Sequence, residues 1–162
     1  MSVQITIDDR AAIAMLDRLR ASGANMAAVH DEIGVAFEQQ IKLAFDDQRD
    51  PWGQAWAALS PVTVARRRKG SSTPLNDIGL LRQSVEYKAD GEGVLVSVGR
   101  ADRPAAPHQF GNPKNRMFGK ALAPLPARPM MPIDDTGVRF EGTEYGEILL
   151  DIADAFLEEA TT

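Results

Sequence analysis

Side chains suited to proton transfer are scarce in this chain of 162 residues, which has two histidines, His30 and His108, and no cysteine. Without cysteine there is no thiol nucleophile, no thiolate metal site and no disulfide framework. A Ser-His-Asp arrangement could draw on His108 with Ser71, Ser72 or Ser97, but no GxSxG turn accompanies any of these serines. Nor is there a GxxxxGK[ST] phosphate loop, a GxGxxG after a strand or an HExxH metal pair. His30 falls at the edge of an apolar helical stripe, where an imidazole is more often solvated or satisfied by the core than ligating. With nucleophile, base and orienting group never found together, the inventory points to no enzyme, no catalytic residue, no metal and no cofactor.

Binding chemistry is better represented. Arg66, Arg67, Arg68 and Lys69 form a basic run that could contact phosphates, or could simply favour the C-terminal dipole of a short helix. No aromatic residue interleaves with the run, so a stacking platform for single strands is not supported. Trp52 and Trp56, four apart, are read as core. His108-Gln109-Phe110-Gly111 and Leu125-Pro126-Ala127-Arg128-Pro129 each put a large apolar or cationic side chain on a proline-stiffened backbone. Proline lowers the entropy lost on ordering, so such a segment can dock on a neighbouring chain or fold back on its own domain.

The elements that must carry these residues can be read from periodicity. Val3, Ile5 and Ile7 alternate as in a half-buried strand. Asp9 then caps a brief helix bearing Ile13, Leu16 and Leu19, ending near Ser22-Gly23. Met26, Val29, Ile33, Phe37, Ile41, Ala44 and Phe45 make a sustained helical stripe, so residues 25–47 should form a helix about 35 Å long at about 1.5 Å per residue. Asp50-Pro51 closes it, and Ser60-Pro61 opens a short helix through Val64 to Arg68. Leu75 to Ser84 reads as another short helix, capped at Asn76 or Asp77. Val85 and Tyr87, a turn at residues 89–93, then Val94, Val96 and Val98 read as a hairpin with one apolar face. Residues 100–132 hold seven of the ten prolines and neither period, hence a long loop or arm whose apolar side chains need cover. Thr143 then caps a C-terminal helix with Ile148, Leu149, Ile152, Ala155 and Phe156 on one face.

Composition bounds the rest. At 44% apolar and 25% charged, this length suits one globular domain over residues 1–162. The first ten residues carry acids where a signal peptide needs basic ones, and no apolar run reaches the roughly 18 residues of a membrane span. Neither secretion nor membrane insertion is expected. The net charge of −5 is unevenly spread: residues 1–60 carry −4, residues 61–128 carry +7 and residues 129–162 carry −8. Such blocks suggest a polyanion surface, complementary patches between copies, or neutralisation within the chain.

Asp77-x-Gly79-x-Leu81-x-x-Ser84 leading into a hairpin, then His108-Gln109-Phe110-Gly111, then Pro126-Ala127-Arg128-Pro129, resembles the phage virion-morphogenesis, or tail-completion, family of Mu-like and related tailed phages. The order and spacing of the three motifs are more specific than any one of them. The resemblance implies a non-enzymatic component of the head–tail junction, in the virion and assembled in the host bacterial cytoplasm. It further implies a ring, commonly of six or twelve copies, that completes the tail or joins it to the DNA-filled head. Its partners are then further copies of itself, neighbouring head-connector and tail-tube proteins, and DNA in the lumen without sequence specificity.

The expected fold is α+β, with a small antiparallel sheet, one long amphipathic helix, a C-terminal helix and a long proline-rich arm in a ring-forming subunit. The expected assembly interface is His108, Gln109, Phe110, Gly111, Pro126, Ala127, Arg128, Pro129 and Met130. Phe110 and Met130 serve there as apolar anchors, and Arg128 pairs with an acidic group across the interface. The alternative is a nucleic-acid-binding module that uses Arg66 to Lys69, Arg100, Arg103, Lys114 and Arg116 on phosphates.

Overall fold

The computed structural model describes residues 10–67, 71–100, 103–117, 120–121, 123–134 and 136–160. The expected strand at residues 3–7 and the Asp9 cap lie outside them. Helix α1 is Arg10–Ser22, and Gly23 ends it in the left-handed region (φ 81). Leu19 is buried and Leu16 half-buried, but Ile13 is exposed. Three-residue steps fall short of a full turn of 3.6, so a stripe built on them drifts around the helix and carries Ile13 off the inward face.

The long stripe forms α2, Met26–Asp47, with Val29, Ile33, Phe37, Ile41 and Phe45 all buried. Beyond it Gln48 turns left-handed (φ 57), and Asp50 Oδ1 accepts from the backbone N–H of Trp52 (3.0 Å) and Gln54 (2.8 Å), fixing the turn before Pro51 can extend any helix. Helix α3 is Pro61–Arg66, started as its sequence requires: Ser60 Oγ accepts from Thr63 N at 3.2 Å and Pro61 takes the first helical position.

The helix expected over Leu75 to Ser84 is only α4, Leu80–Gln83. Leu75 (φ 55) and Gly79 (φ 77) are both left-handed, which a right-handed helix cannot include, so Gly79 rather than Asn76 or Asp77 stands at its start. Strands β1 (Glu86–Ala89) and β2 (Val94–Ser97) pair antiparallel with Tyr87 opposite Val96. Asp90 Oδ1 holds their turn by accepting from Glu92 N (2.8 Å) and Gly93 N (3.0 Å).

The segment expected as a long loop holds short elements. They are β3 (Gly99–Arg100) with β4 (Arg103–Pro104), the single turn α5 (Ala106–Gln109), and β5 (Arg116–Met117) with β6 (Lys120–Ala121). Then come β7 (Ile133–Asp134) with β8 (Gly137–Val138), and the C-terminal helix α6, Glu144–Ala160. Among the described residues each sheet is a two-stranded antiparallel ladder, and with the helices this makes the class α+β. Thr143 stands directly before α6, but its hydroxyl donates back to Phe140 O (2.7 Å) rather than accepting from the first turn as the expected cap would.

Contacts divide the chain into two compact units, one from Ile41–Val85 and Val98–Met131, the other from Ser2–Gln40, Glu86–Ser97 and Pro132–Thr162. In the first, Phe45 meets Trp56 edge to face at 5.5 Å, and Leu81, Val85, Val98, Met130 and Met131 are also buried. In the second, α1 packs against α6, and Phe37 lies edge-on to Phe140 (5.6 Å) and Tyr145 (5.0 Å). His30 is satisfied in that core: its Nδ1 donates to Asp90 O at 2.6 Å, a carbonyl being able only to accept.

Candidate functional site

The two proline-flanked motifs come together in the first unit. Helix α5 is stopped after one turn by Gly111 (φ 74), where a side chain would press on Ala127 N and Leu125 O, each 3.0 Å from an ideal Cβ. The reversal lays residues 108–112 beside 125–131. Asn112 and Leu125 exchange both backbone hydrogen bonds (2.8 and 2.9 Å), and Arg128 N donates to His108 O (2.6 Å). Gln109 completes the join from its side chain: Oε1 accepts from Met130 N (2.9 Å) and Met131 N (3.1 Å), while Nε2 donates to Met131 O (2.9 Å). A buried glutamine thus does what a neighbouring strand would do for two successive residues.

Arg128 is only 2% exposed, and its guanidinium reaches the preceding loop, Nε donating to Ala57 O (2.8 Å) and Nη2 to Ala58 O (3.2 Å). Trp56 Nε1 donates to Pro129 O at 2.7 Å beside it. The partners of Arg128 in this chain are therefore carbonyls rather than the acidic group expected across an interface. Met130 is 0% exposed, so the apolar anchor expected to face a neighbour lies in the chain's own core. Sequence reading missed that core because the tryptophan and the 57–58 carbonyls are seventy or more residues away from it. The one signal was Trp56, whose indole N–H needs an acceptor wherever it is buried.

Of the other expected interface residues, Gln109 is buried, His108, Gly111 and Pro129 are half-buried, and Pro126 and Ala127 are exposed. Phe110 stands apart at 48% exposed, the only aromatic among the large exposed apolar side chains of the described residues. Burial, and secondarily the Arg128 charge, hold the His108 imidazole below its ordinary pKa, and its Nδ1 is buried without a hydrogen-bond partner. Burial and the nearby Arg67 charge likewise lower Arg128.

The basic run is less available than its sequence suggests. Arg67 Nη1 binds the carbonyls of Ser71 (3.2 Å), Thr73 and Asn76 (3.3 Å), bracing the 71–76 loop, while Arg66 is exposed. Arg68 and Lys69 lie outside the described residues, as do the side chains of Arg100, Arg103 and Arg116; Lys114 is exposed. In the 77–84 motif, Gly79 supplies the left-handed turn, Leu81 is buried, and Ser84 Oγ donates to Leu81 O (2.6 Å) and accepts from Gly99 N (2.9 Å).

Charge sorts by unit more sharply than by position along the chain. The stretches 41–85 and 98–131 carry thirteen basic and five acidic residues (+8), whereas 2–40, 86–97 and 132–162 carry five and eighteen (−13). Much of the acid is on α6, which has no basic residue and exposes Glu144, Glu147, Asp151 and Asp154 at alternating three- and four-residue spacing, a single stripe.

Among the described residues no three His, Asp or Glu side chains gather to hold a metal ion, and no helix is long and apolar enough to cross a membrane. No curated protein and no solved structure matches the chain. The model of the phage virion morphogenesis family matches residues 7–144, a span that contains both stapled motifs and the 77–84 turn, and the chain belongs to that family.

Proposed function

We propose that this phage morphogenesis protein is a non-enzymatic structural component of the head–tail junction, assembling as a ring that completes the tail or joins it to the DNA-filled head. The observation that carries the reading is the partition of charge, +8 in one unit against −13 in the other. A ring is built by a heterologous contact, in which one surface of each subunit meets a different surface of the next. Two units of opposite charge within one chain offer such a pair, and the attraction steers association while disfavouring contacts between like surfaces. Neighbouring head-connector and tail-tube proteins are the further partners in this reading.

Electron microscopy of lysates from a phage with a nonsense codon early in the gene tests it. Full heads beside unattached tails of normal length assign a joining role, and tails of irregular length assign termination of tube growth. Intact infectious particles overturn the proposal. The +8 unit also favours a second reading, a nucleic-acid-binding module, which requires duplex affinity with a steep salt slope. Absence of duplex binding at low salt eliminates it.

A further inference from the structure

We infer that the surface around Phe110 is the docking knob of a head-to-tail contact, and that its receptor is the exposed acidic face of α6 in a second copy of this chain. The inference rests on the ring reading and deepens it by naming the two faces.

Phe110 is presented by a backbone already immobilised on both sides. Its own N–H is bonded to Ala106 O (3.0 Å), Gln109 before it is held by three side-chain hydrogen bonds, and Gly111 and Asn112 after it are locked against residues 125–127. The chain has thus ordered this loop during folding, yet leaves the ring at its tip 48% exposed. A rigid exposed aromatic makes a favourable interface anchor, since its two torsions cost little to fix and its area is large. The knob sits in the +8 unit, with Lys114 exposed four residues on.

Charge complementarity selects the receptor. Glu144, Glu147, Asp151 and Asp154 span about 15 Å of α6 at about 1.5 Å per residue. None of the four has an ion pair among the described residues. Ile148, half-buried, and exposed Ala155 lie one turn on from Glu144 and Asp151, leaving apolar surface beside the carboxylates. An aromatic ring on that apolar surface, with Lys114 over the stripe, matches the usual plan of an apolar centre and a polar rim. Because knob and receptor are built from different residues, each copy offers one of each, as a head-to-tail contact requires.

Sedimentation velocity on the purified full chain at low salt tests the pairing. Phe110→Ala is expected to weaken self-association by about tenfold or more, and Lys114→Glu to weaken it too. The double substitution Glu147→Lys/Asp151→Lys should block it from the other side. All these positions are exposed, so circular dichroism and the melting temperature should match the unaltered chain and separate lost docking from lost folding. The deciding sample is an equimolar mixture of the Phe110→Ala chain with the Glu147→Lys/Asp151→Lys chain. It should form one-to-one pairs and nothing longer, because each pair combines one intact knob with one intact receptor. Variants that assemble as well as the unaltered chain, or a mixture that stays monomeric, overturn this inference and leave the ring reading standing. An unaltered chain that remains monomeric at every salt and protein concentration overturns both.

Discussion

Replacing Gln109 by leucine is the most informative single perturbation of the join between residues 108–112 and 125–131. Leucine keeps the approximate volume, but it leaves the N–H groups of Met130 and Met131 and the carbonyl of Met131 without the partner that now satisfies them. Each buried polar group left unmet costs roughly 1–3 kcal/mol, and the costs of adjacent groups do not simply add, so the loss should be about 4 kcal/mol. Against a total of roughly 5–15 kcal/mol that is a large fraction, equivalent to a fall in melting temperature of about 8–16 °C for a chain of this size. Gln109→Glu separates hydrogen bonding from shape. A carboxylate there still accepts from both N–H groups but sets its second oxygen against Met131 O, whereas the protonated acid can donate to that carbonyl. Its folded pKa should therefore lie above its unfolded value. In the window between the two the folded state binds more protons, so the variant's stability relative to the unaltered chain should fall as pH rises. Urea unfolding of all three chains at pH 5 and pH 7 measures both effects, and subtracting the unaltered chain at each pH removes contributions common to them. A Gln109→Leu chain within about 1 kcal/mol of the unaltered one would refute the reasoning.

Other outcomes follow from buried groups elsewhere. Tyr145 is buried with an unpartnered hydroxyl, and burial raises its pKa, so Tyr145→Phe should be neutral or stabilising by about 1 kcal/mol; a clear loss of stability in thermal melts would mean the hydroxyl has a partner. Gly34→Ala places a methyl group against the ring of Tyr87, 2.7 Å from Cε2, and should cost about 1–3 kcal/mol by overpacking. It should also break the Tyr87 hydroxyl to Asp31 bond (3.0 Å), so the phenol, now raised chiefly by that bond, should titrate lower when followed at 295 nm (the usual phenolate band); an unchanged titration argues that the ring stays in place. His108 has a lowered folded pKa, so below about 6.5 the unfolded state binds the extra proton and stability should drop as pH falls further. His108→Gln should flatten that part of the stability profile, and an unaltered slope would assign it to other groups.

Local signals were legible wherever a residue's immediate neighbours decide its state. The long helix was legible, expected over 25–47 and found over 26–47, because burying one helical face requires that spacing, and Ser60-Pro61 and the 89–93 turn were readable because their side chains act within a few residues. The same locality explains where reading failed. Nothing between Leu75 and Ser84 announces that Leu75 itself turns left-handed, so the pattern predicts about ten helical residues where four form. The motifs that carry the family resemblance could be located, but whether Met130 and Arg128 face a neighbour or the chain's own core depends on Trp56 and the carbonyls of Ala57 and Ala58, which are brought near only by folding.

By itself, then, the sequence determined the absence of thiol chemistry, the long amphipathic helix, the acidic C-terminal helix and the motifs of a phage morphogenesis protein, since composition and short-range periodicity express them directly. Tertiary structure alone decided which side chains of the proline-rich segment are satisfied within the chain and which is left in solvent. Gln109, Arg128 and Met130 find partners from distant residues and disappear into the first unit, while Phe110 does not. It also decided the strength of the charge separation, because contact between remote stretches gathers residues 2–40, 86–97 and 132–162 into a unit of −13. Long-range pairing is where linear patterns carry no information: hydrogen bonds and charges act through space, and only the folded chain sets those distances.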